Sequence, residues 1–205
     1  MDVFRAIRER RSVRKFDPEP VSEEDILQLL DAARWAPSGS NQQPWRFIVV
    51  SCRRHIEEMA SAVRRRIEEK SRDDSLDRRV RAWLRALRPS LTFFGDAPVV
   101  IAVAVRPYEV GARTLESLES LMDEDGCPEK LGSSAAIQNL LLAAHALGYG
   151  ACWMTGPLIA KTELESILGI TAPWKLAAVI PLGHPVQSLD SRPRKPLAEI
   201  VTWVR

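Results

Sequence analysis

The sequence predicts an α+β protein in which helices cover a buried sheet. Three apolar runs, within residues 46–51, 98–105 and 175–182, read as strands. Long helical stretches separate them, far longer than hairpin turns, so the strands are joined across helical layers. The middle run, Val-Val-Ile-Ala-Val-Ala-Val, shows no polar alternation, which places it at the centre of the sheet with both faces buried. Helices first, then strands spaced by helices, indicate a two-layer or three-layer arrangement rather than a barrel.

Each element has its own local signal. Val3, Phe4 and Ile7 form a short apolar stripe, so residues 2–11 read as a helix whose end is crowded with arginines. Ser22, with Asp25 three residues on, marks a helix start; Ile26, Leu27, Leu29, Leu30 and Ala33 give its buried face before Pro37 stops it. Residues 53–88 are dense in charge of both signs, with Arg64-Arg65-Arg66 beside Glu68-Glu69, and read as a pair of solvated helices. Ser133 or Ser134 is expected to start a long apolar helix carrying Ile137, Leu140, Leu141, Ala144 and Leu147 and ending at Gly148. Residues 157–168 read as a further helix closed by Gly169, and the third strand ends at Gly183 and Pro185. Gly148-Tyr149-Gly150 follows a helix and lacks the third glycine of a dinucleotide fingerprint, so it reads as a helix end and turn.

Composition narrows the chemistry. At 205 residues, 45% apolar and 27% charged, the chain is expected to fold as one domain over 1–205 with a proper core. A formal charge of +2 is too balanced to imply nucleic acid or an acidic membrane surface, and no apolar run approaches the ~20 residues of a membrane helix. Cys52, Cys127 and Cys152 are widely spaced with no C-x-x-C pair, and His55, His145 and His184 are isolated from one another. Neither a disulfide framework nor a protein-bound metal is therefore expected. Cys152 reads as a small buried thiol and His145 as a satisfied core histidine. The first residues lack the apolar region of a secretory signal, and a reducing cytoplasm is the expected compartment.

Four separated segments carry the candidate site. Arg10-Arg11-Ser12-Val13-Arg14 puts three guanidiniums and a hydroxyl within five residues, a density suited to an anion. A helix C-terminus opposes an anion by ~0.3–1 kcal/mol, while each charge-assisted hydrogen bond returns ~1.5–3 kcal/mol, so two arginines outweigh the dipole. The loop 36–45, Ala-Pro-Ser-Gly-Ser-Asn-Gln-Gln-Pro-Trp, is rich in amides and hydroxyls that can pair with the edge of a heteroaromatic ring. Trp153, Met154, Thr155 and Gly156 offer apolar surface and backbone amides after the Gly148 helix end. Arg192-Pro193-Arg194 is a second source of positive charge near the C-terminus.

With RRSVR, APSGSNQQPW, ALGYGACWMTG, IPLGHP and RPRKPL in this order, the chain resembles the nitroreductase family of flavin enzymes from residue 1 to about 200. That resemblance implies a three-layer α/β/α sandwich with a mainly antiparallel central sheet, and a homodimer with FMN at the subunit interface. Arg10, Arg11, Ser12, Arg192 and Arg194 would then hold the phosphate, and Arg14 would lie near the pyrimidine side of the flavin. Pro37, Ser38, Gly39 and Asn41 would come from the other subunit, with Gln43 orienting their loop, while Trp153, Met154, Thr155 and Gly156 would pass across the ring. The implied reaction is hydride transfer from NAD(P)H through FMN to a nitroaromatic, quinone or similar small acceptor by a ping-pong mechanism, with no catalytic side chain named. Residues 53–88 and 106–130, including the turn Gly126-Cys127-Pro128, correspond to the family's variable insertions. Two rivals are a relative that consumes reduced flavin, as 5,6-dimethylbenzimidazole synthase does, and a flavin-binding or redox-sensing dimer closed to NAD(P)H.

Overall fold

A computed structural model describes residues 1–108, 128–187, 190 and 193–205. Four strands, β1 (Trp45–Val50), β2 (Val99–Val105), β3 (Gly150–Ala151) and β4 (Lys175–Gly183), form one sheet in the order β1-β2-β4-β3. Every pairing is antiparallel, with Trp45 opposite Val105, Val99 opposite Leu182 and Gly150 opposite Gly183. All seven residues of β2 are buried, as its unbroken apolar run predicts.

Helices α2 (Glu23–Arg34) and α5 (Pro128–Ala146) cover one face, where Val99, Ile101 and Val103 meet Leu29, Ile137 and Leu140. Helices α3 (Arg53–Arg72), α4 (Arg78–Thr92) and α6 (Lys161–Leu168) cover the other, around Val100 and Ala102. The register of β4 shifts opposite Val103 and Ala104, so Leu176 points to the second core while Ala178, Ile180 and Leu182 point to the first. The architecture is the three-layer α/β/α sandwich with an antiparallel sheet. Helix α1 (Val3–Glu9) lies outside both cores, with Ala6 its one buried residue.

Local chemistry explains the helix starts. The Asp2 side chain accepts from the Arg5 amide at 2.9 Å, and Ser22 Oγ accepts from the Asp25 amide at 3.0 Å, each satisfying an amide at a helix start. Helix α3 departs from the solvated reading of residues 53–88. Ile56, Met59, Ala60, Val63 and Ile67 recur at helical spacing and are essentially inaccessible, while pairs such as Arg66–Glu69 occupy the outer side. The charge density conceals a narrow apolar stripe. Helix α4 continues through Pro89 to Thr92.

Helix α5 begins at Pro128, well before the expected serines. Ser133 and Ser134 cap nothing: their hydroxyls donate back to the Glu129 and Lys130 carbonyls at 2.6 and 2.7 Å, the geometry of serine inside a helix. Gly148, at φ 88°, ends the run as expected. His145 differs from the satisfied histidine expected, because its Nε2 is buried with no hydrogen-bond partner among the described residues. Strand β3 was too short to announce itself; Gly150 and Ala151 pair only because β4 lies alongside.

Candidate flavin site

The N-terminal arm is laced onto the far end of the sheet. Ser12 bridges Ala151, the Val13 amide donates to the Ala151 carbonyl at 3.1 Å, and the Asp17 amide donates to the His184 carbonyl at 2.9 Å. Val13 is buried, and its side chain fills the space over Gly150, where an added Cβ would meet it at 2.6 Å. Glycine at 150 is thus a close-approach position that seats the arginine-bearing arm on β3.

Seating the arm gathers positive charge. Burial first, then the charges of Arg11 and Arg194, push the Arg10 guanidinium down from its ordinary value. Arg11 donates to the carbonyls of Arg8, Arg10 and Asp190, and Arg14 to that of Ser12. No carboxylate pairs with Arg10, Arg11 or Arg14 among the described residues. Arg192 lies outside the described residues. Cys152 sits beside the cluster as an inert thiol: burial raises its pKa more than Arg14, Ser12 and Arg10 lower it.

From this cluster the chain runs out along β4. The Cys152 amide donates to Pro181, and Met154 exchanges both backbone hydrogen bonds with Val179. Side chains alternate, with Cys152 and Met154 turned into the core and Trp153 and Thr155 outward. Met154 therefore has no polar group left for a ligand. Trp153 and Thr155 face a cavity of about 530 Å³ bounded by the start of α5, the end of β2 and the start of β4. Gly156 closes the segment against Leu91 of α4, where a side chain would collide.

The loop 37–43 lies elsewhere. It holds Ser40, Asn41 and Gln43 at positive φ, 46°, 53° and 49°, and Ser38 Oγ accepts from the Gln43 amide at 2.9 Å. The Gln43 side chain donates to the Asn41 carbonyl at 3.4 Å, within the same loop. Gly39 packs under Tyr108, and Ser38 rests on Gly132 near the start of α5. The arginines instead approach His145, thirteen residues further along the same helix and ~20 Å away by helical rise. One chain brings Arg10, Arg11, Ser12, Arg14 and Arg194 together at the Gly150 end of the 150–156 segment, while the loop 37–41 lies by the start of α5, the end of that helix that also bounds the cavity beside Trp153 and Thr155.

Lys130, Lys161 and Lys175 also line the cavity, together with Glu129. No sequence signal joins these lysines. They meet because a helix start, a second helix start and a strand start share one end of the fold. Cys127 and most of 106–130 lie outside the described residues. No helix among the described residues is long and apolar enough to cross a membrane, and no group of metal-ligating side chains occurs among them.

The fold and the arm together define an α/β/α sandwich with a cluster of arginines beside its edge strand. The nitroreductase family model matches residues 7–184, and the chain belongs to that family. It is 33% identical over 195 residues to a protein of Methanothermobacter thermautotrophicus named "Putative NADH dehydrogenase/NAD(P)H nitroreductase", covering 94% of this chain and 82% of the relative. Iodotyrosine deiodinase of Hydra vulgaris is 29% identical over 210 residues, 98% of this chain and 72% of its own. Among solved structures, a BluB-like flavoprotein of Clostridium difficile superposes with a TM-score of 0.87 at 32% identity, covering all of both chains. A nitroreductase-type protein of Desulfovibrio desulfuricans, solved in complex with FMN, superposes with a TM-score of 0.70 at 30% identity over 100% of this chain and 98% of its own.

Proposed function

We propose that the chain is an FMN-dependent NAD(P)H oxidoreductase that works as a homodimer and reduces a nitroaromatic, quinone or similar small acceptor by a ping-pong mechanism. The observation that carries this reading is the convergence of Arg10, Arg11 and Arg194 at one end of a segment whose other end opens on the 530 Å³ cavity. The donor set fits FMN: the guanidiniums of Arg10 and Arg11, which no carboxylate pairs with among the described residues, suit a dianionic phosphate, and Trp153 and Thr155 suit a flat heteroaromatic ring. When bound, FMN supplies the two-electron relay between a reduced nicotinamide and the acceptor.

In this reading Arg10, Arg11, Ser12 and Arg194, joined by Arg192, bind the phosphate. Arg14 stands by the pyrimidine edge, where a cation stabilises developing negative charge. Trp153, Thr155 and the Gly156 backbone border the ring, and Met154 anchors them to β4. Leu91 presses on Gly156, so α4 is the part of the 53–92 stretch that reaches the ring. No side chain is assigned a proton-transfer step.

Two features support the dimer. The loop 37–41 stands ~20 Å along α5 from the arginines of its own chain, and in this reading its polar groups serve a second copy's ring. Phe4, Ile7, Trp35, Leu197, Trp203 and Val204 are also exposed, large apolar side chains of the kind a subunit interface covers. The edge of β1 is unpaired among the described residues, above an apolar groove containing Leu27, Leu30, Trp45 and Phe47.

Purification followed by an absorption spectrum and anaerobic addition of NADH or NADPH tests the reading. A yellow protein bleached by at least one nucleotide, then reoxidised by a quinone or nitroarene, is the expected result. A protein that takes up no FMN, or whose yellow colour neither nucleotide bleaches, rejects it.

A further inference from the structure

The cavity beside Trp153 and Thr155 has an apolar floor, to which Ile137, Leu176 and Val105 contribute, and a rim that is mainly cationic. Its neutral polar groups are largely spent, since the Ser133 and Ser134 hydroxyls donate to their own helix. What remains to meet a ligand is the Thr155 hydroxyl and the ammonium groups of Lys161 and Lys175. Glu129 is the one carboxylate among the described lining residues.

Lys161 has a distant partner, Glu165 at 3.8 Å, through an oxygen that already accepts the Leu176 amide at 2.7 Å. Its charge is therefore only weakly compensated. Lys175 begins β4 opposite Val105, exposed, with no carboxylate against it among the described residues. Beside it, Trp174 carries Arg46 at 4.4 Å and Arg106 at 5.9 Å from its ring centre, which adds to the positive field at this end of the sheet. A neutral ring entering here would leave Lys161 with only its long contact to Glu165 and give Lys175 no partner. An anionic substituent would satisfy them.

We propose that the cavity selects aromatic acceptors carrying an anionic group, of which a carboxylate is the simplest, with Lys161 and Lys175 as specificity-determining residues. This rests on the flavin reading above, because it takes the ring beside Trp153 and Thr155 as the electron source. With a nitroarene the balance is NAD(P)H + H⁺ + Ar–NO2 giving NAD(P)⁺ + Ar–NO + H2O: a hydride equivalent leaves the nicotinamide, one N–O bond breaks, and the oxygen departs as water.

The test compares 4-nitrobenzoate with 4-nitrobenzamide, which share ring and nitro group and differ in charge. The holoenzyme is expected to favour the benzoate in kcat/KM by roughly 10-fold or more, the scale of one charge-assisted contact. That preference should shrink with added salt and collapse toward unity in Lys161→Gln and Lys175→Gln. Tryptophan quenching by 4-nitrobenzoate, which needs no turnover, should weaken in the same variants. Equal use of the two compounds, or a preference that both substitutions leave intact, overturns the proposal. If the substitutions instead change the ratio of NADPH to NADH in anaerobic bleaching, the anion recognised is the donor's phosphate and the proposal fails. Bleaching by nucleotide without discrimination between the nitro compounds defeats this proposal alone. Absence of bleaching defeats the flavin reading, and the quenching measurement then still decides whether the lysines bind the anion.

Discussion

Arg10 is the most constrained side chain of the candidate site, because burial and two neighbouring guanidiniums both disfavour its charge until an anion arrives. Replacing it with alanine is expected to weaken FMN retention by ~1.5–3 kcal/mol, the range of one charge-assisted hydrogen bond. Fluorescence titration of the apoprotein with FMN measures this, and an unchanged dissociation constant would count against a phosphate at Arg10. His145 belongs to the same neighbourhood. Burial is the largest cause of its lowered pKa; Glu9 opposes the shift and Arg10, Arg11 and Arg5 add to it. A folded value below the ordinary 6.5 means that the unfolded chain takes up the proton first on acidification. Stability is therefore fully present above the ordinary value and falls as pH drops through it toward the folded one. The urea midpoint of the wild type should fall across that window more steeply than that of His145→Gln; equal slopes would count against a lowered His145 pKa. The arginine clusters were visible in the sequence as motifs. The orphaned Nε2 was not, since satisfaction depends on what packs beside α1 and α5.

Gly150 and β3 show what an element-level reading can and cannot supply. The turn after α5 was legible from Gly148, but the two-residue strand and its fit to Val13 depend on β4 lying alongside and on the N-terminal arm folding back across roughly 140 positions. Gly150→Ala sets a methyl group against the Val13 side chain and is expected to cost ~1–3 kcal/mol of stability, the range for overpacking. Because the arm carries Arg10 to Arg14, the same change should loosen FMN, and Val13→Ala in the same chain should recover much of both losses. Thermal melts paired with flavin titrations check it. By contrast β2 was readable residue by residue, because a central strand buries both faces and leaves no alternation to misjudge. Ile101→Ala removes a fully buried side chain between β2 and α5 and should lower the unfolding free energy by ~2–5 kcal/mol in urea titration. Helix α3 was harder. Its 53–72 stretch averages to a charged surface, and only the spacing of Ile56, Met59, Ala60, Val63 and Ile67 reveals the face it turns to the sheet.

At the scale of the whole molecule, α5 acts as a strut with half a site at each end. Its C-terminal end meets the arginine arm, and its N-terminal end carries the 37–43 loop and the lysine-rimmed cavity. Helical rise sets Gly132 and His145 ~20 Å apart, longer than a side chain spans. Sequence order hid this, since the loop and the arm are near neighbours along the chain and distant in space. A second copy placed so that its loop faces the first copy's ring would complete both sites at once, which is the economy of an isologous interface. Assembly and cofactor retention should then fail together. Phe4→Asp with Ile7→Asp charges the exposed stripe of α1, while no residue proposed to touch the flavin is altered. The variant should sediment as a monomer at micromolar concentration and lose FMN on gel filtration. A monomer that keeps its flavin would show that one chain suffices, and a dimer unaffected by the two aspartates would place the interface on another face, with β1 and the exposed C-terminal residues Trp203 and Val204 the next surface to charge.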